Sequence, residues 1–398
     1  MDFTARFVRR IDEVDPQAWD SLRAGDDPFT SHAFLAGLET EGCIDPGLGW
    51  TPHHLLLEDA GGRLRAAAPA YLKTNSHGEF VFDHAWANAY QRAGLTYYPK
   101  LLVAVPYSPV TGPRLLCGNE PTLLAALRAA IEGFTRQHGL SGAHVNFHRA
   151  AEAPGGDWLL RHDLQFHWHN RGYRDFPDFL DGFQSKKRKN LRQERAQVAR
   201  AGVQVRRITG DVASPADIEV AHRLYCRTFE DKGNHPALSL GFFRHLARSL
   251  GPALLLVLAE RGGQVIAGAL CLRSHDTLYG RYWGCFEEVP GLHFEACYHQ
   301  GIEFCIEQGL ARFEPGAQGE HKLARGFLPV PTRSSHYLPM PAFREAVAVA
   351  LDEELRWLRG YRSALLAHAP FREEVLAGEL EQLPELPETL AASRLPAD

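Results

Sequence analysis

The segment Phe313 to Phe327, FEPGAQGEHKLARGF, gathers a carboxylate, two cations and several glycines within a short span. Glu314 falls at the end of an expected strand, where a carboxylate can accept a proton from an amine or orient it. Lys322 and Arg325 follow a turn opened by Gly316 and Gly319, which puts cations where a phosphate or a developing oxyanion could sit. A solvated surface loop is the competing reading of the same residues. Upstream, Arg281 and Trp283 alternate along an expected central strand and so share a face. A charge there is costly unless it is paired or opens onto a cleft, so Arg281 is either a site residue or the partner of Glu295 or Glu314. Cys285 and Cys297 lack the local partner motif of a nucleophilic cysteine.

From Gln184 to Arg207, QSKKRKNLRQERAQVARAGVQVRR carries nine basic residues against the single acid Glu194, in a chain whose net charge is −5. Lys186, Lys189, Arg192 and Arg195 recur every three residues with Lys187 beside them, so they form one drifting stripe along a helix. Such a stripe can track a phosphate backbone, although a solvated helix face would look the same. In the first half, Tyr107, Ser108 and Thr111 in PYSPVTG, with Asn146 and His148 on the expected strand AHVNFHR, are candidates to hold an acceptor. Trp283 and Gln318 join them from the second half. For Asn146 and His148 a strand with one polar face is the plainer account.

Composition excludes several classes. The seven cysteines have no CxxC spacing and the twenty histidines no ligand spacing or HExxH string, so neither disulfides nor a metal is expected. No apolar run is long enough to span a membrane and the N-terminus has no signal-peptide core, which points to a soluble, cytoplasmic protein. At 398 residues the chain suits two domains.

The elements that must position these residues occur twice. Leu55 to Leu72 reads LLLEDAGGRLRAAAPAYL and Leu255 to Leu272 reads LLVLAERGGQVIAGALCL. Each is expected to be a β-hairpin turning on Gly-Gly, after a short aromatic-rich helix. Helices are expected at Asp15 onward, His32 to Glu41, the PTLLAALRAAIEGFTRQHG stretch, Phe176 through the basic run to Ala201, Pro215 to Asp231, Leu240 to Leu250 and Phe294 to Gln308. Strands are expected at Ala253 to Glu260, Gln264 to Ser274, Thr277 to Phe286 and Ala311 to Pro315. A Tyr- and Pro-rich loop fills much of 84–116, and a polar loop runs from 316 to HYLPM. A long helix from Ala342 to His368 ends at Pro370, before a frayed tail. This order predicts a mixed α/β (α+β) fold. The expected division is 1–160, 161–341, and 342–398 as C-terminal helix and tail.

The strings FQSKKRKNLRQER, LYGRYWGC, HFEACYHQGIEFCIEQGL and FEPGAQGEHKLARGF resemble the FemAB-like branch of the GNAT acyltransferase superfamily, specifically the group labelled peptidoglycan biosynthesis or recognition proteins. That resemblance implies tandem GNAT-like domains, each a mostly antiparallel mixed sheet flanked by helices. It implies an N-acyltransferase that moves an aminoacyl group from aminoacyl-tRNA to an amine of a small or peptide-like acceptor, with tRNA as partner and no cofactor. Lys322 matches the family lysine before a Gly-Phe pair, implied to contact the donor phosphate or the developing charge. The sequence lacks the R/Q-x-x-G-x-G/A loop that cradles coenzyme A pyrophosphate. Acyl-CoA-dependent transfer and a non-catalytic module binding cell-wall precursors or RNA remain the alternatives.

Overall fold

The computed structural model describes residues 3–389 apart from Asn119 and Gln318. The described residues form two compact units, 3–164 with 331–361 and 385–389, and 165–330 with 362–384. The consecutive division expected at 160 and 341 therefore misses a return of the chain: residues 331–361 pack with the first unit and 362–384 with the second.

In the first unit a three-stranded antiparallel sheet is made by Thr4–Val8, His54–Glu58 and Leu64–Ala68. The expected first hairpin is interrupted at Pro69. Proline has no N–H to give to a ladder, and beyond it Ala70–Lys73 joins a different sheet, between Trp50–Pro52 and Lys100–Val103. Lys100–Val103 runs parallel to Ala143–Val145, which pairs antiparallel with Ser335 to Tyr337 of the strand Leu328–Tyr337. That strand occupies much of the stretch expected as a polar loop. The strand expected through His148 stops at Val145, since Phe147 has φ of 55°. Two further helices differ from expectation. His84–Arg92 is helical inside the supposed loop, and Glu373–Leu380 precedes the tail. The long helix Pro341–Leu366 docks through Val347 and Leu351 on Trp86, Tyr90 and Leu338.

The second unit is built on a sheet in the order Leu159–His169 (through Trp168 and His169), Arg312–Glu314, Thr277–Cys285, Gln264–Arg273, Leu254–Arg261 and Gln204–Thr209. Every pairing is antiparallel except that of Thr277–Cys285 with Arg312–Glu314. Its Gly-Gly hairpin is continuous, with Gly262 and Gly263 at φ of 59° and 78°, values that a two-residue hairpin turn needs and side chains resist. Helix Pro215–Glu230 starts on a capping box between Ser214 and Asp217, and Leu240–Leu250 starts on Ser239. Gly284 lets Pro215–Glu230 lie close on the sheet: a Cβ there would sit 1.9 Å from the Leu224 carbonyl oxygen. The expected helix through the basic run is broken into Phe176–Asp181 and Ser185–Arg200. Between them Phe183 is buried against Phe179 and Phe371. Helix 292–308 contains a π-turn at Glu295–His299. Among the described residues no helix is long and apolar enough to cross a membrane.

Candidate functional site

Glu314 ends its strand almost fully buried, at 4% exposure. Arg312 Nε lies 3.3 Å from its Oε1 and His167 Nε2 lies 3.9 Å from its Oε2. Burial drives His167 well below its usual 6.5, so its approach to Glu314 is that of a neutral ring. The chain then turns at Gly316, whose φ is 100°. Gly280 on the neighbouring strand makes room for this turn, since a Cβ there would lie 3.1 Å from Pro315 Cα. A 3-10 turn, Glu320–Arg325, follows. In it Lys322 is only 2% exposed, and its Nζ donates to the Gly316 carbonyl at 2.6 Å. Burial pulls this amine from its ordinary 10.5 down to about 8, against a smaller upward pull from Cys297. The described residues show no ion pair to Lys322.

Arg325 is placed differently from the phosphate ligand expected of it. Its Nη2 and Nε donate to Glu194 at 2.5 and 3.3 Å, its Nη1 to the His321 carbonyl, and its guanidinium lies 3.3 Å over the Phe294 ring. It anchors the loop. Arg281 sits at a β-bulge: Leu270 faces Tyr282 and Cys271 faces Gly280, leaving Arg281 as the extra residue. Bulges re-aim side chains and break simple alternation, so the shared face inferred for Arg281 and Trp283 does not follow. The Arg281 guanidinium lies 5.4 Å over the Tyr282 ring, while Glu295 is taken by Arg195. Trp283 packs edge-on to His293 and against the Val198, Val203 and Ile266 cluster.

On the basic helix, Lys186, Lys189 and Arg192 are exposed and Lys187 is half-buried. Arg188, Lys189, Arg192, Gln193 and Gln197 line a shallow groove along this face. Arg195, expected in the same stripe, turns inward. It makes a fork to Glu295 at 3.0 and 2.8 Å, bonds Glu303 at 2.6 and 3.0 Å, and lies over the Phe176 ring. The drift of a three-residue spacing around a 3.6-residue helix carries the fourth member into the protein.

In the first unit, Tyr107 adopts φ of 55° and its hydroxyl donates to the Cys43 carbonyl at 3.1 Å. Ser108 is buried and Thr111 half-buried. Asn146 is 1% exposed, and its side-chain oxygen and nitrogen have no hydrogen-bond partner among the described residues. His148 bonds the Arg149 carbonyl and Ser335 Oγ at 2.8 and 2.7 Å, and burial pulls it down to about 4. Gln318 lies outside the described residues.

Sequence reasoning missed a buried ionic cluster in this unit. Lys100 Nζ bonds Glu79 Oε2 at 2.8 Å, Ser76 Oγ at 3.1 Å and Asp83 Oδ2, and Tyr97 donates to Asp83 at 2.6 Å. Lys73, directly across the strands from Lys100, lies 3.8 Å over the Trp50 ring. Burial pulls Lys73 down to about 7 and pushes Glu79 up to about 7, the latter against the opposing pull of Lys100. The available signal was a lysine at one end of each of two apolar strands.

Residues 10–373 match the FemAB-like family, described as peptidoglycan biosynthesis/recognition. The chain belongs to this family. Among solved structures it resembles FemX at a TM-score of 0.50 and 10% identity, over 85% of this chain and 97% of FemX. It resembles L-PGS from Bacillus licheniformis equally at 0.50 and 10%, over 84% and 96%. These likenesses are of fold. No curated protein matches the sequence. In its second unit Glu314 ends a strand and Lys322 lies on the 3-10 turn that follows, with Arg325 as the anchor of that turn.

Proposed function

We propose that this FemAB-like protein moves an aminoacyl group from aminoacyl-tRNA to an amine of a peptide-like acceptor related to cell-wall precursors. The observation that carries the reading is Lys322: a buried amine, drawn to about 8 by desolvation, on the same loop as the buried carboxylate Glu314. In transfer, the acceptor nitrogen bonds to the ester carbonyl carbon, the ester C–O bond breaks, and the ribose oxygen takes up the proton that the amine loses. Glu314 is suited to orient the amine and receive its proton. Lys322 is suited to offset the oxyanion and to return a proton to the leaving oxygen, because an acid titrating near the working pH does both efficiently. Lys186, Lys189 and Arg192 offer an outward basic face for the RNA backbone, and the family description supports a cell-wall-related acceptor.

The test is filter binding of bulk aminoacylated tRNA at two salt concentrations with coenzyme A as competitor, followed by transfer assays with amine acceptors. Saturable, salt-sensitive binding that coenzyme A leaves intact is expected. Turnover of acyl-CoA without tRNA would overturn the choice of donor.

A further inference from the structure

A single carboxylate joins the basic helix to the Lys322 loop. Glu194 is the only acid among the nine bases of 184–207, and it belongs to an inward stripe of the helix, Leu191, Glu194, Arg195 and Val198, at the spacing of one buried helical face. Leu191 and Val198 are 5% and 3% exposed. Glu194 Oε2 and Oε1 accept from Arg325, and Oε1 also accepts from His299 Nε2 at 2.8 Å. Burial raises the Glu194 carboxyl, but the bonds from His299 and Arg325 outweigh it and leave the group below its usual range. Its neighbour Arg195 reaches Glu295 and Glu303. Glu295 and His299 bound the π-turn of helix 292–308, so that turn supplies a partner to each inward charge of the basic helix. Such turns insert one extra residue and concentrate at functional sites.

Arg325 and Lys322 lie three residues apart in one 3-10 turn, a spacing at which side chains stand one above the other. Fixing Arg325 therefore fixes Lys322, whose amine donates to the Gly316 carbonyl. We infer that Glu194 is the positioning residue for Lys322, locking the turn to the basic helix so that a polyanion on the helix's outer face is held in register with the Lys322 amine. The inference rests on the role given to Lys322 under the proposed function.

The test is Glu194→Gln in the full-length protein, read by competitive labelling of amines with acetic anhydride across pH and quantification of the Lys322 peptide by mass spectrometry. The titratable and charged groups near Lys322, namely Cys297, His167, His293, His321 and Arg325, are all retained. A loosened turn admits water, so the Lys322 midpoint is expected to rise by about one pH unit toward that of an ordinary lysine. Turnover is expected to fall by about tenfold or more, with tRNA affinity unchanged because the outer face is intact. A folded variant whose Lys322 midpoint and labelling rate equal those of the parent overturns the inference. Should Glu194→Gln fail to fold, Arg325→Lys keeps the charge but loses the fork and the Phe294 stack; the same upward shift is expected, and an unmoved midpoint overturns the inference equally. The labelling needs no substrate, so a parent protein that neither binds aminoacylated tRNA nor transfers overturns the functional reading alone.

Discussion

Replacing Lys322 by Met should make the protein more stable while removing its activity. Lys322 is 2% exposed, and its displacement from 10.5 to about 8 is the signature of a charge held out of water. Each pH unit of displacement corresponds to about 1.4 kcal/mol, so the protonated amine costs the native state roughly 3 kcal/mol. Below about pH 8 both folded and unfolded chains carry the proton, and the cost is present in full. Between about 8 and 10.5 the unfolded chain alone holds it, so native stability rises with pH and the cost fades. A Met of similar length escapes the cost but gives up the hydrogen bond to the Gly316 carbonyl, worth about 1 kcal/mol. The expected net gain is about 2 kcal/mol near pH 7, vanishing by about pH 10. Urea unfolding at pH 6.5, 8 and 10, with hydrogen exchange of the 312–327 peptides to localise the effect, measures this. The variant should lose about a hundredfold or more in transfer rate. A Met variant less stable than the parent at every pH, or one whose advantage does not change with pH, would refute the desolvation argument.

Charge reversal at Lys186 and Lys189 should weaken RNA binding and flatten its dependence on log salt by about two contacts, measured by filter binding. Arg195→Ala should instead act on folding: it strands Glu295 and Glu303 and should lower stability by about 2 kcal/mol, allowing for partial exposure, in a thermal melt. Lys100→Met leaves Glu79 and Asp83 buried without their cation, at a cost of about 3 to 5 kcal/mol. That deficit should shrink as pH falls from 8 to 5, because the stranded carboxyls then take up protons. Gly284→Ala drives a Cβ toward the Leu224 carbonyl and should cost about 3 kcal/mol, seen as a lowered melting temperature.

Local chemistry made much of the second unit legible. The expected helices from Pro215 and Leu240 are present, each started by a serine cap, and Gly262–Gly263 announced its hairpin, because such signals act within a few residues. The first hairpin misled for a physical reason: Pro69 hands the second half of an apparently continuous strand to another sheet. Lys322 and Glu314 could be named together as candidates because both sit in one short string. Arg195 was misread because its partners Glu295 and Glu303 lie about a hundred residues away, and nothing in a helical stripe says which member turns inward. The Lys100 cluster was missed likewise, since Lys100, Glu79 and Asp83 meet only when a Tyr-rich segment folds back over its strands.

The return of residues 331–361 to the first unit has a bearing on how the protein can be cut or swapped. Ser335 to Tyr337 cover an edge that Ala143–Val145 would otherwise leave open, and Val347 with Leu351 cover Trp86 and Tyr90. A fragment ending near residue 164 would expose both, a bare strand edge and an apolar face, and such edges seed aggregation. The apparent seam between the two repeats is thus a poor place for truncation, domain exchange or split-protein complementation. A soluble first half requires residues 331–361 to be supplied, by linkage or in trans.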